Sequence, residues 1–159
     1  MTANTHPRVR ALEARFAEIA ETMADLPVYN GALTVEAWGF GPYDEGTLIG
    51  VLITPWFMNL VLLPEAPEPI DPNRYGEASK VALPGGEWQV LYGGDEAVGA
   101  FRAASLHSPM DVFVDQAQAR AEARLRLAEA LTPPEPEQDE ATGGKTLSRR
   151  SILSGRASG

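Results

Sequence analysis

The chain has 159 residues, 44% hydrophobic and 22% charged, with a net charge of −9, two histidines and no cysteine. This length suits one domain with a proper core, and the missing thiols exclude disulfides, thiolate metal sites, iron–sulfur ligation and a Cys nucleophile. The acidic balance argues against general nucleic-acid binding, which needs clustered Lys and Arg, and favours a basic partner.

Residues 7–25 predict an amphipathic helix, with Val9, Leu12, Phe16, Ile19 and Met23 on one stripe, Asn4 or Thr5 as N-cap and Pro7 in the first turn. Residues 1–30 contain no continuous apolar segment like that of a secretory signal, and no apolar run approaches the ~20 residues of a membrane span. A soluble cytoplasmic protein is expected. Asn30-Gly31 signals a turn. Residues 32–40 then alternate, setting Leu33, Val35 and Ala37 against Thr34, Glu36, Trp38 and Phe40.

Two buried strands follow, Leu48–Ile53 and Leu60–Leu63, interrupted at Pro55, which cannot donate a ladder hydrogen bond. The interruption carries Trp56, Phe57 and Met58, where turns usually carry Gly, Asn and Asp. Either this connection is buried, or it grips something. Pro64–Ser79, with four prolines and Glu65, Glu68, Asp71 and Glu77, predicts a stiff solvated loop that could form an acidic lip beside the aromatic turn. Gly85-Gly86 opens a further hairpin of strands at 87–92 and 98–106. A helix is expected from Ser108-Pro109 to about Leu131, with Met110, Val114, Ala117, Ala121, Leu125 and Ala128 inward and Arg120, Arg124 and Arg126 solvated. Beyond residue 131 the chain turns Pro- and Gly-rich, with too few apolar residues to order itself. The expected architecture is therefore α+β: one domain over 1–131, an antiparallel sheet of about five strands packed with an N-terminal and a C-terminal helix, and a disordered tail over 132–159.

No catalytic constellation emerges. Ser105 and His107 are neighbours in sequence only, which does not give triad geometry, and the Gly-Gly pairs lack the spacing of a phosphate loop. No enzyme activity, cofactor or metal is expected. An alternative is a small-ligand or electron-transfer accessory protein, with Trp38, Trp56 and Trp88 lining a pocket.

Thr54–Pro64, preceded by Leu48–Ile53, resembles the signature of the HybE/HupJ family of nickel–iron hydrogenase maturation chaperones. Phe101–Met110, followed by Phe113, Asp115 and Gln116, resembles that family's second characteristic block. The likeness spans roughly residues 8–131. It implies a role in binding a hydrogenase precursor, either the small subunit through its signal peptide or the large subunit, before twin-arginine export. Other hydrogenase accessory proteins are further partners it allows. It carries over no catalytic residues, and a rubredoxin-like role is excluded for want of Cys. The client-binding candidates are Trp56, Phe57, Met58 and Asn59, with Glu36 and Trp38 on the adjoining strand. Near the end of the chain, Leu147–Ser154 resembles a twin-arginine motif, with Arg149, Arg150, Ile152 and Leu153 as a mimic of such a client. A true signal is N-terminal and precedes an apolar segment, so export by this one is not expected.

Overall fold

A computed structural model describes residues 6–133. The chain folds in the order α1 (Pro7–Met23), β1 (Glu36–Asp44), β2 (Thr47–Ile53), β3 (Met58–Pro64), a 3-10 turn (Pro72–Arg74), β4 (Ala78–Leu83), β5 (Gly86–Asp95), β6 (Gly99–His107) and α2 (Gln116–Leu131). All pairings are antiparallel, in the spatial order β1-β2-β3-β6-β5-β4.

β2 and β3 are buried on both faces because each side of the sheet carries a helix. Val9 and Leu12 of α1 meet Leu48, Leu52, Val61 and Leu63 on one face. On the other, Ala119, Ala123, Leu127 and Ala130 of α2 meet Ile49, Val51, Ile53, Met58, Leu60 and Leu62. These two sets alternate along each strand, which is why both strands read as continuous apolar runs. A flat six-stranded sheet would hold its edges ~24 Å apart. Here Tyr43 Oη of β1 donates to Ala82 O of β4 at 3.0 Å, so the sheet curls around α2.

Several sequence expectations change. The sheet has six strands: Ala78–Leu83 is an edge strand whose alternate residues are exposed, so its weakly apolar sequence merged with the preceding loop. Gly85-Gly86 joins β4 to β5. In β1 a register shift lies between Trp38 and Gly41, where Gly39 takes φ +72. This bulge turns Phe40 to the α1 face with Ala37, away from Trp38. Phe40 fits there because Gly50 leaves it room; a Cβ at Gly50 would lie 2.4 Å from the Phe40 ring.

The helices differ as well. His6 caps α1, its Nδ1 accepting from Arg8 N, while Asn4 and Thr5 lie outside the described residues. α2 begins only at Gln116, capped by Asp115. The expected start at Ser108 fails because Asn30 Nδ2 donates to Met110 O at 3.0 Å and to Phe113 O at 2.8 Å, claiming carbonyls a helix would use. Its inward face is also the other one. Met110 is buried as expected, but Val114, ahead of the helix, and Ala117, Ala121, Leu125 and Ala128 are exposed. Ala119, Ala123, Leu127 and Ala130 face the sheet, whose curl brings it close enough for mostly small side chains to fill the space.

Candidate functional site

The bulky β2–β3 connection is a tight turn organised by Thr54, which is fully buried. Its Oγ1 accepts from Trp56 N at 3.2 Å and Phe57 N at 2.8 Å and donates to Phe57 O, whose other bond comes from Thr54 N. A side-chain hydroxyl thus replaces solvent for the turn's amides, and no Gly or Asn is needed. The turn resolves the two readings of this stretch by dividing them. Met58 has 0% exposure and belongs to the α2-side core, a correction to its candidacy as a surface contact. Phe57 and Trp56 are half-buried.

Trp56 and Phe57 extend a row of rings contributed by three elements. Phe16 of α1 packs edge-on to Phe57 at 5.9 Å, Phe57 to Trp56 at 5.6 Å, and Trp56 stacks on Tyr29 at 6.3 Å. Asn30 locks the neighbouring segments. Its backbone amide donates to Pro55 O at 2.9 Å, while its side chain bonds the 110–113 segment. One residue therefore ties the β2–β3 turn, the α1–β1 connection and the β6–α2 connection to the same end of the molecule.

That end carries an exposed apolar surface. Seven large apolar side chains are exposed among the described residues, and four of them, Leu26, Val28, Val112 (65%) and Val114 (69%), lie on the two connections joined by Asn30. Beside them an apolar groove of about 400 Å³ is lined by Ala17, Ala20, Glu21, Ala24, Tyr29, Thr34 and Val35. Asp25, Asp111 and Asp115 are exposed at the same end. Clustered exposed apolar side chains rimmed by charge are the usual mark of an interaction surface.

The remaining candidates have other duties. Glu36 accepts from Gln116 Nε2 at 3.0 Å and Arg120 Nε at 2.8 Å, so its carboxylate is engaged in clamping α2 to β1. Trp38 and Trp88 pack against the α2-side core, whereas Trp56 stacks on Tyr29, so the expected three-tryptophan pocket is not assembled. Asn59 alternates with Met58 and Leu60 and takes the α1 face, half-buried. Arg149, Arg150, Ile152 and Leu153 lie outside the described residues. The proline-rich loop is no lip to the turn. It folds at the opposite end of β3, ~20 Å away, with Glu68 O accepting from Ala100 N and Tyr92 Oη from Asp71 N. Among the described residues no group of three or more His, Asp or Glu is placed to hold a metal, and no helix is long and apolar enough to cross a membrane.

His107 ends β6 and pairs with Glu122 of α2 at 2.8 Å, its ring edge-on to Phe113. The hydrogen bond from His107 leads in holding the Glu122 carboxyl below the usual range, with Arg126 adding to it. A carboxylate whose folded pKa is depressed stabilises the fold above its unfolded value and loses that contribution as pH falls through the folded one. Glu122→Gln should therefore melt about 2–5 °C below the parent at pH 7. The gap should narrow as the pH is lowered through the carboxylate range, which thermal unfolding at pH 7 and at pH 3 checks. An equal gap at both would remove the Glu122 carboxylate from the explanation.

Residues 7–155 match the protein family described as NiFe-hydrogenase assembly, chaperone, HybE. The chain belongs to that family. It is 40% identical over 142 residues to the hydrogenase expression/formation protein HupT of Azotobacter chroococcum mcd 1, covering 89% of this chain and 94% of that one. It is 38% identical over 128 residues to the hydrogenase expression/formation protein HupJ of Bradyrhizobium diazoefficiens, covering 80% and 73%. The probable rubredoxin HupJ of Rhodobacter capsulatus is 40% identical over 123 residues, 77% of this chain but 44% of that protein. The solution structure of HybE from Escherichia coli superposes with a TM-score of 0.63 at 22% identity, over 93% of this chain and 91% of that one, and shares its fold.

Sequence reasoning missed Leu26, Val28, Tyr29, Asn30, Val112 and Val114. The signal was available in principle: each apolar one is a large side chain in a stretch that forms a connection, the same anomaly that singled out Trp56.

Proposed function

We propose that this chaperone binds a hydrogenase precursor at the end of the molecule built from Trp56, Tyr29 and the Asn30-linked connections, in the cytoplasm, before twin-arginine export, and without catalysing a reaction. The supporting observation is the concentration of Leu26, Val28, Val112 and Val114 on that end, next to the ring row and among acidic residues. A signal peptide offers the complementary chemistry, adjacent arginines followed by an apolar run. Charge attraction brings it in, and the rings and aliphatic side chains hold its apolar part. This favours the small-subunit precursor over the large subunit as client. Affinity purification of the full chain from hydrogenase-expressing cells should recover the small subunit with its signal peptide still attached. Recovery of the large subunit alone, or of mature small subunit, would contradict the assignment.

A further inference from the structure

We infer that the chain's own segment Lys145–Arg156 docks on this same apolar end and occupies it until a precursor arrives; the inference rests on the reading of that surface given above. Leu147-Ser148-Arg149-Arg150-Ser151-Ile152-Leu153 carries the pattern ascribed to the client, two adjacent guanidinium groups followed by branched apolar side chains. The family match runs to residue 155 and so takes in this segment.

Charge and chain length both fit. Residues 145–159 hold Lys145, Arg149, Arg150 and Arg156 and no acid, whereas residues 6–133 hold 18 acids against 9 Lys and Arg. Glu21, Asp25, Asp111 and Asp115 lie exposed around the apolar side chains. Arginine pairs with carboxylates there, while Ile152 and Leu153 add apolar area beside Val112, Val114 and Trp56.

The starting point of the segment is also known. α2 begins at the site, where Gln116 bonds Thr34 and Glu36, and its 16 residues carry the chain ~24 Å away to Leu131. The sixteen residues from Thr132 to Leu147 can span at most ~55 Å, more than the ~24 Å needed to return to the site. A tether able to span the sites makes docking intramolecular, with an effective concentration of order 1 mM. If the free segment binds with a Kd of ~100 µM, docking lowers the apparent affinity for a competing peptide by about tenfold.

The absence of cysteine makes Ser154→Cys a unique attachment point for a nitroxide on the full chain. Amides of residues 26–30, 54–57 and 111–115 should broaden relative to the reduced label, with those of β4 unaffected. Broadening should vanish when nitroxide-labelled, NMR-silent chain is mixed with unlabelled ¹⁵N chain, because the contact is within one molecule. Sharp site amides, broadening elsewhere, or broadening that persists in the mixture would overturn the inference. Replacing Arg149, Arg150, Ile152 and Leu153 with Ser in the full chain should abolish the broadening. It should also tighten binding of a synthetic peptide, two arginines followed by about twelve apolar residues, roughly tenfold; unchanged affinity would also overturn it. If the peptide binds the site but the label broadens nothing there, the self-docking fails and the client surface stands. If the label broadens the site but the peptide does not bind, the client reading fails alone.

Discussion

Thr54→Val should destabilise the full chain by about 2–4 kcal/mol in urea unfolding, a large effect for a side chain changed by one oxygen. The replacement keeps the volume of a fully buried residue but strips the acceptor from two amides, Trp56 N and Phe57 N. Thr54 itself has 0% exposure, so water does not take the place of its hydroxyl and both amides lose that acceptor. Thr54→Ser keeps the hydroxyl and removes a methyl, and should cost only about 1 kcal/mol. The ordering separates hydrogen bonding from packing. Equal losses for Val and Ser would mean that the hydroxyl does not organise the turn. The turn sets where Trp56 sits, so the Val variant should also bind the precursor less well than its residual folded fraction accounts for.

Simultaneous replacement of Val28, Val112 and Val114 by Ser should leave stability within ~0.5 kcal/mol of the parent, because all three side chains are exposed. Capture of the precursor should nevertheless fall at least about tenfold, the loss expected when ~1.4 kcal/mol of apolar contact disappears from a binding surface. Serine adds no charge, so electrostatic attraction to a basic segment stays intact and the change isolates the apolar contribution. A folded triple variant that captures precursor as the parent does would exclude these residues from the interface. Met58 is a poor substitute for this experiment. Its side chain is sealed in the core, and truncation to Ala would cost about 2–5 kcal/mol of stability before any binding effect could be read.

Much of the fold could be read from single stretches. Leu48–Ile53 and Leu60–Leu63 announce two strands because both faces of the sheet are covered, which forces unbroken apolar sequence onto the central pair. The α1 stripe is legible because one face of that helix meets solvent. What escaped depends on contacts distant in sequence. The inward face of α2 is set by how the helix seats inside a curled sheet, a property of six strands together, and Leu125 stays outside while Ala119, Ala123, Leu127 and Ala130 turn inward. The face taken by Phe40 depends on one left-handed glycine. The start of α2 depends on Asn30, some eighty residues upstream, which looked like an ordinary turn residue. The same side chain assembles the site. The β2–β3 turn was visible alone as an anomaly, but its neighbours Val28, Val112 and Val114 join it only through the Asn30 hydrogen bonds and could not be grouped from spacing.

These long-range ties also explain why the surface can be both apolar and ordered. Its exposed side chains stand on segments whose backbone groups are bonded to one another, so they lose little conformational freedom when a partner binds. A basic, apolar segment is expected to bind at this end. Titration of ¹⁵N-labelled full chain with the twin-arginine peptide, followed by amide and indole shifts, tests it most directly. Saturable shifts are expected at residues 26–30, 54–57 and 110–116 and at the Trp56 indole alone, with the Trp88 indole unmoved. Shifts centred instead on the proline-rich loop or the exposed edge of β4, with the Trp56 indole unchanged at saturation, would contradict it.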